Sequence, residues 1–172
     1  MQQHQARISP DYDQDFYAWT QHQAKLLRSL RAGPALPPEV DLDHLAEEIE
    51  DLGKAELRGV TSLIQQILMH LIKAASDPKS RASNHWRSEA IAFNFDLADR
   101  YARSMRQHID MQSLWERSLR VAEAQLQEHG ASLAKGIPTE CPFLLDEVMA
   151  EAFDFDTAAK RLLSAQTSGT AA

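Results

Sequence analysis

His70, His85 and Glu89 are the residues of this chain whose types and spacing could do chemistry, with Glu48 as a conditional fourth. His85 and Glu89 are four apart, so on a helix they share a face. The segment around His70 reads as helix, and Asp77-Pro78 stops it, because the residue before proline disfavours helix. The loop that follows is short, so the next helix returns antiparallel as a hairpin. Counted back from that turn, His70 comes level with about Glu89, and Lys73 with about His85 and Trp86. Two imidazoles and a carboxylate at this spacing are what a bundle-borne site for a divalent metal needs. They also suit acid–base chemistry. They suit a buried His–Glu pair equally well, since an unpaired polar group inside costs several kcal/mol. Neither HExxH nor a repeated ExxH is present to favour the metal.

Glu48 depends on Gly53. It sits on the edge of the stripe Leu42, Leu45, Ile49 and Leu52, whereas Glu47 and Asp51 face away. A helix continuous through Gly53 puts Glu48 roughly 33 Å from His70, at about 1.5 Å per residue. The antiparallel count then brings it near Arg106 or His108 as an ion pair. A chain that turns back at Gly53 brings it to His70 and Glu89 instead. Glu47, Arg103 and Arg106 are candidates for partner contacts or ion pairs. His44 and Glu48, four apart, offer a second small pair, and His22 shares the flank of Trp19. Cys141 precedes Pro142 at an expected helix start, where the dipole would lower a thiol pKa. No Gly-rich phosphate loop, Ser nucleophile elbow or nucleotide fingerprint occurs.

The elements that must position these residues are helices. Tyr12, Phe16, Trp19, Leu26, Leu27 and Leu30 recur at three and four residues, which predicts a first helix from near Asp11 to Ala32, stopped by Gly33-Pro34. Asp41 or Asp43 caps the second region, where Leu57, Val60, Ile64, Ile67, Leu68 and Leu71 continue the apolar pattern to Ala75. The two stripes of this region are offset by roughly 60–70°, which fits one long helix bent near Gly53 or two helices joined there. Ser83 or Asn84 caps a third segment carrying Trp86, Ala90, Phe93, Leu97, Tyr101, Met105 and His108. A fourth runs from about Ser113 to His129, with Gly130 as its C′ residue. Pro142 opens a short helix through Phe153, and Asp156-Thr157 caps a last weak turn. Trp19, Trp86 and Trp115 read as core anchors. The expected fold is an all-α antiparallel bundle of about five to six helices, one domain over 11–156. Residues 1–10 read as a disordered lead-in, and 157–172 as the weak turn and a disordered tail.

The chain has 172 residues, 44% hydrophobic and 25% charged, enough for a sizeable core. Its formal charge of −7 argues against a general nucleic-acid binder, which must neutralise phosphates. A single cysteine excludes an internal disulfide and a multi-cysteine zinc site. No apolar run is long enough to span a membrane and the N-terminus has no signal-peptide pattern, so the expected compartment is the cytoplasm. Charge is uneven: Glu39 to Glu56 is mostly acidic, and Lys79 to Arg120 mostly basic. Complementary faces packing within one chain or across a dimer explain this, as does a surface that steers a partner.

The phrases YDQDFYAW, LDHLAEEIEDLGKAE, HLIKAASDP, HW and PTECPF together resemble a bacterial family catalogued as domain of unknown function number twenty-nine. The resemblance covers roughly Asp11 to Phe153. The chain departs from the family's commoner Ser-Trp pattern with the run His85-Trp86-Arg87-Ser88-Glu89, and has Asn94 where that pattern has an Arg, as in a variant branch. The resemblance implies a helical fold and a bacterial origin, and no activity. From the residues, the expected function is a non-enzymatic interaction or self-association module. The alternative is a metal-binding protein or metal-dependent enzyme at the His/Glu cluster.

Overall fold

Asp15 starts the first helix: its carboxylate accepts from the Ala18 backbone N–H at 2.8 Å, an N-cap that satisfies one of the free donors of the first turn. The structure, a computed structural model, describes residues 10–30, 36–37, 39–150 and 153–164. The expected lead-in before Pro10 and the tail after Ser164 lie outside these. Helix α1 is Phe16–Ser29, α2 Leu42–Ser76, α3 Ser83–Arg100, α4 Met111–Glu128, α5 Leu145–Val148 and α6 Phe155–Ser164, with a 3-10 helix at Arg103–His108. Among the described residues there is no strand, so the fold is all-α as the periodicity indicates.

Two compact units emerge, one up to Gly59 with Ala102–His108, the other Val60–Tyr101 and the chain from Ile109. In the first unit, α1 packs on the opening stretch of α2 through small residues. Thr20, Ala24, Ala46 and Gly53 are buried. A Cβ on Gly53 would fall on the Thr20 hydroxyl, so only glycine lets the backbones come this close. Gln21 and Arg28 reach Glu50, the latter as an ion pair at 2.5 Å. Asp15 also accepts from the Ser104 hydroxyl at 2.7 Å, and the His108 ring meets Tyr17 edge-on at 5.5 Å, which fixes the 3-10 helix against α1.

Several expectations are corrected in this unit. Gly53 does not end the helix: of the two alternatives, α2 is one 35-residue helix rather than two, because the glycine serves a close approach rather than a turn. Leu26 is 45% exposed, Leu30 51%, Leu45 46% and Leu52 54%, although their spacing read as inward. Periodicity shows that a face is apolar but not which element covers it. The helices here meet through their small residues, and the large ones point elsewhere.

The second unit is built around the rest of α2. Every residue from Ile67 to Ala75 is buried, so this stretch is enclosed on all sides. Buried in the same unit are Trp86, Ala90 and Leu97 of α3, Leu114, Trp115, Ala122 and Leu126 of α4, Val148 of α5, and Phe155 and Leu162 of α6. Three polar side chains of this core bond to backbone. The Ser118 hydroxyl lies 3.1 Å from the Gln65 carbonyl, Asn94 Nδ2 donates to the Val148 carbonyl at 2.8 Å, and Trp115 Nε1 donates to the Pro138 carbonyl at 3.0 Å. Trp115 and Trp86 are core anchors, whereas Trp19 is half-buried.

Helix α3 ends at Arg100, with Tyr101 extended, so His108 does not continue its inward side. Ala82 stands at the α3 N-cap position with no side-chain bond, in place of Ser83 or Asn84. Asp110 caps α4, Gly130 has the expected left-handed φ of 73°, α5 is a single turn, and Asp154 rather than Asp156 caps α6 by accepting from Thr157.

Candidate functional site

The hairpin of α2 and α3 brings together three of the four candidate residues. His70 Nε2 lies 3.2 Å from Glu89 Oε2, and His85 Nε2 lies 3.3 Å from the same oxygen. The one-turn spacing of His85 and Glu89 presents both toward α2, and the short Asp77–Ala82 connection sets the register that puts His70 opposite. Their surroundings grade from core to solvent: the His70 side chain is 4% exposed, Glu89 38% and His85 68%. The His70 ring stacks on Phe93 at 5.9 Å between centroids, with 23° between planes. Its Nδ1 is buried with no hydrogen-bond partner among the described residues.

Burial holds the His70 pKa down to about 4, and the neighbouring Lys73 and His85 act in the same direction. At neutral pH the contact with Glu89 is therefore a neutral imidazole beside a carboxylate, not an ion pair. A neutral tautomer with the proton on Nε2, facing the carboxylate, leaves the Nδ1 lone pair as the unsatisfied atom.

Lys73, one turn along, completes the polar cluster. It is 6% exposed, donates from Nζ to Gln125 Oε1 at 2.8 Å and lies 5.1 Å from the Trp86 ring centre. Burial lowers its pKa, and Glu89 opposes that. The hairpin count placed Lys73 level with Trp86; Gln125 had no sequence signal, since nothing fixed the register of α4. The arrangement is a neutral imidazole held between a carboxylate and an aromatic ring. Among the described residues, no three His, Cys, Asp or Glu side chains are grouped so as to hold a metal ion.

Glu48 does not join this cluster. It is exposed on the part of α2 that belongs to the first unit, and α2 does not turn back at Gly53. It is not seen against His108 either: the hairpin count assumed that α3 continued, and His108 instead meets Tyr17. His44 pairs with Asp41 rather than Glu48, Nδ1 to Oδ2 at 2.5 Å, because the helix starts at Leu42 and the cap residue is nearer. That bond raises the His44 pKa and lowers that of Asp41. Glu47, Arg103 and Arg106 are all exposed. His22 is half-buried and lines a cavity of about 450 Å³ in the first unit with Tyr17, Lys25, Ser104 and His108. Cys141 is not at a helix start, since α5 begins at Leu145; burial raises its thiol pKa, and the thiol donates to the Phe143 carbonyl at 3.4 Å.

Sequence reasoning missed the apolar surface of the first unit. At about 100° per residue, Phe16, Trp19, Leu26 and Leu30 share one side of α1, away from the buried Tyr17, Thr20 and Ala24. Leu45, Ile49 and Leu52 share one flank of α2. In an antiparallel pair joined through Thr20 and Gly53, both sets turn to the same side, opposite the polar side where Gln21 and Arg28 meet Glu50. Tyr12, 55% exposed, folds over this surface with its ring edge-on to Phe16 at 5.3 Å and Trp19 at 4.8 Å.

A family model described as Domain of unknown function DUF29 matches residues 12–154. The chain is similar to a crystal structure, at 1.45 Å, of an alpha-helical protein of unknown function from Rhodospirillum rubrum. Identity is 38% over 89% of this chain and 98% of that one, with a TM-score of 0.84. None of the curated proteins matches. Among the described residues, no helix is long and apolar enough to cross a membrane.

Proposed function

The chain belongs to the DUF29 family, and we propose that this member is a protein-interaction module that binds through the apolar surface of its first unit. The observation that carries this reading is the exposure, by about half, of Tyr12, Leu26, Leu30, Leu45 and Leu52 on one side of a two-helix hairpin. Single exposed leucines are ordinary, but a contiguous set drawn from two helices marks an interaction surface. The opposite side of the same hairpin is polar and ion-paired, so the asymmetry does not come from composition. The His70 cluster has a structural role in this reading: it closes the α2–α3 hairpin with a polar contact beside Phe93.

The reading is tested by asking whether these leucines hold the fold. In urea unfolding at submicromolar protein, Leu26→Ser/Leu52→Ser loses no more than about 1 kcal/mol per site. A loss of about 2–5 kcal/mol per site, the cost of emptying a core position, would contradict it.

A further inference from the structure

Resting on that reading, we infer that the occupant of the apolar surface is a second copy of this chain, stacked face to face so that each α1 lies along the other copy's α2. The spacing argues for a helical partner. Phe16, Trp19, Gln23, Leu26 and Leu30 are separated by three, four, three and four residues, and Leu45, Ile49 and Leu52 by four and three. These are the intervals of a seam that receives another helix. Two such seams side by side on one hairpin are both filled by a second hairpin, giving a four-helix arrangement. A two-fold pairing does so with nothing left over, because each copy supplies one seam of each kind.

Charge selects among the ways of stacking. The edge of α2 beside the apolar surface carries exposed Glu48. The corresponding edge of α1 carries half-buried His22, next to Leu26 by helical spacing. Laying α2 on α2 would set acidic edges against each other, and like charges across an interface oppose binding. Laying α1 on α2 sets His22 beside Glu48, twice over by symmetry. Gln23, the one polar position in the α1 seam, is the kind of residue that fixes register at some loss of stability.

Sedimentation equilibrium of the full chain at micromolar concentration tests this. Wild type should be a dimer. Leu26→Glu/Leu52→Glu should weaken association at least about 100-fold while keeping its helical circular dichroism, and Leu144→Glu, 70% exposed in the second unit, should leave it unchanged. Glu48→Lys should weaken the dimer, and Glu48→Lys/His22→Glu should restore it. A monomeric wild type overturns the self-pairing; the interaction reading then still stands or falls on the leucine unfolding test. A dimer indifferent to Leu26→Glu/Leu52→Glu overturns both. A dimer broken at the leucines but not restored by the charge exchange overturns the α1-on-α2 arrangement.

Discussion

His70 is decided by burial. An imidazole stacked on Phe93 with its Nδ1 enclosed has little to gain from a proton, and the neighbouring Lys73 and His85 oppose one further. Its folded pKa, about 4, lies below the unfolded value near 6.5, so the unfolded chain binds the extra proton between these two values. Stability contributed by neutral His70 is therefore present above pH 6.5 and is lost as pH falls toward 4. From pH 7 to pH 5 the loss is about 2 kcal/mol. The exposed His44–Asp41 pair works in the opposite sense over that window, since its imidazole pKa is raised. The carboxylates held low, such as Glu50, Asp110 and Glu147, release their contribution only at more acid pH. His70→Leu removes the titrating group and the orphan nitrogen together, so its urea midpoint should be nearly flat from pH 7 to 5 and no lower than wild type at pH 7. An undiminished pH slope in His70→Leu would assign the effect elsewhere. The meeting of His70, His85 and Glu89 was legible in the sequence, because proline-marked hairpins keep register by counting. The absence of a partner for Nδ1 was not, since it depends on how Phe93 and its neighbours fill the space around the ring.

At the scale of elements, the same glycine has two opposite readings. A helix-interior glycine costs about 1 kcal/mol relative to alanine, so Gly53→Ala ought to stabilise α2 if the position were merely exposed helix. Here the added methyl meets the buried Thr20 hydroxyl, which is itself committed to the Tyr17 carbonyl at 2.8 Å. Gly53→Ala should instead cost about 1–3 kcal/mol in thermal or urea unfolding, as overpacking does. Thr20→Ala in the same chain should recover part of that loss by removing the obstructing oxygen. A stabilised Gly53→Ala would show that α1 does not press on α2 here. This explains why the sequence admitted two helices joined at Gly53 where the chain forms one. The offset between the Leu42–Leu52 and Leu57–Leu71 stripes is real, but it marks a change in which side of a continuous helix is covered. One stripe is left exposed in the first unit, and the other is enclosed in the second. Caps were legible where an aspartate stands just ahead of an apolar run, as at Asp41, where the carboxylate accepts from His44. The α3 start was not legible, because Ala82 occupies it without any side-chain bond.

Over the whole molecule, composition and periodicity were enough for an all-α chain, and the family match agrees. They could not assign the large apolar residues of α1. Tyr12, Phe16, Trp19, Leu26 and Leu30 have the spacing of core residues, yet in an isolated chain Tyr12, Leu26 and Leu30 are exposed and Phe16 and Trp19 only half-buried. Both descriptions hold if their core is completed by another molecule. The most direct measurement is photo-crosslinking in living cells with a short-range reactive residue at position 26 or 52, and at position 144 as the comparison. The account requires a discrete adduct of twice the chain mass from positions 26 and 52 and none from 144. No adduct from 26 and 52, or the same products from all three positions, would contradict it.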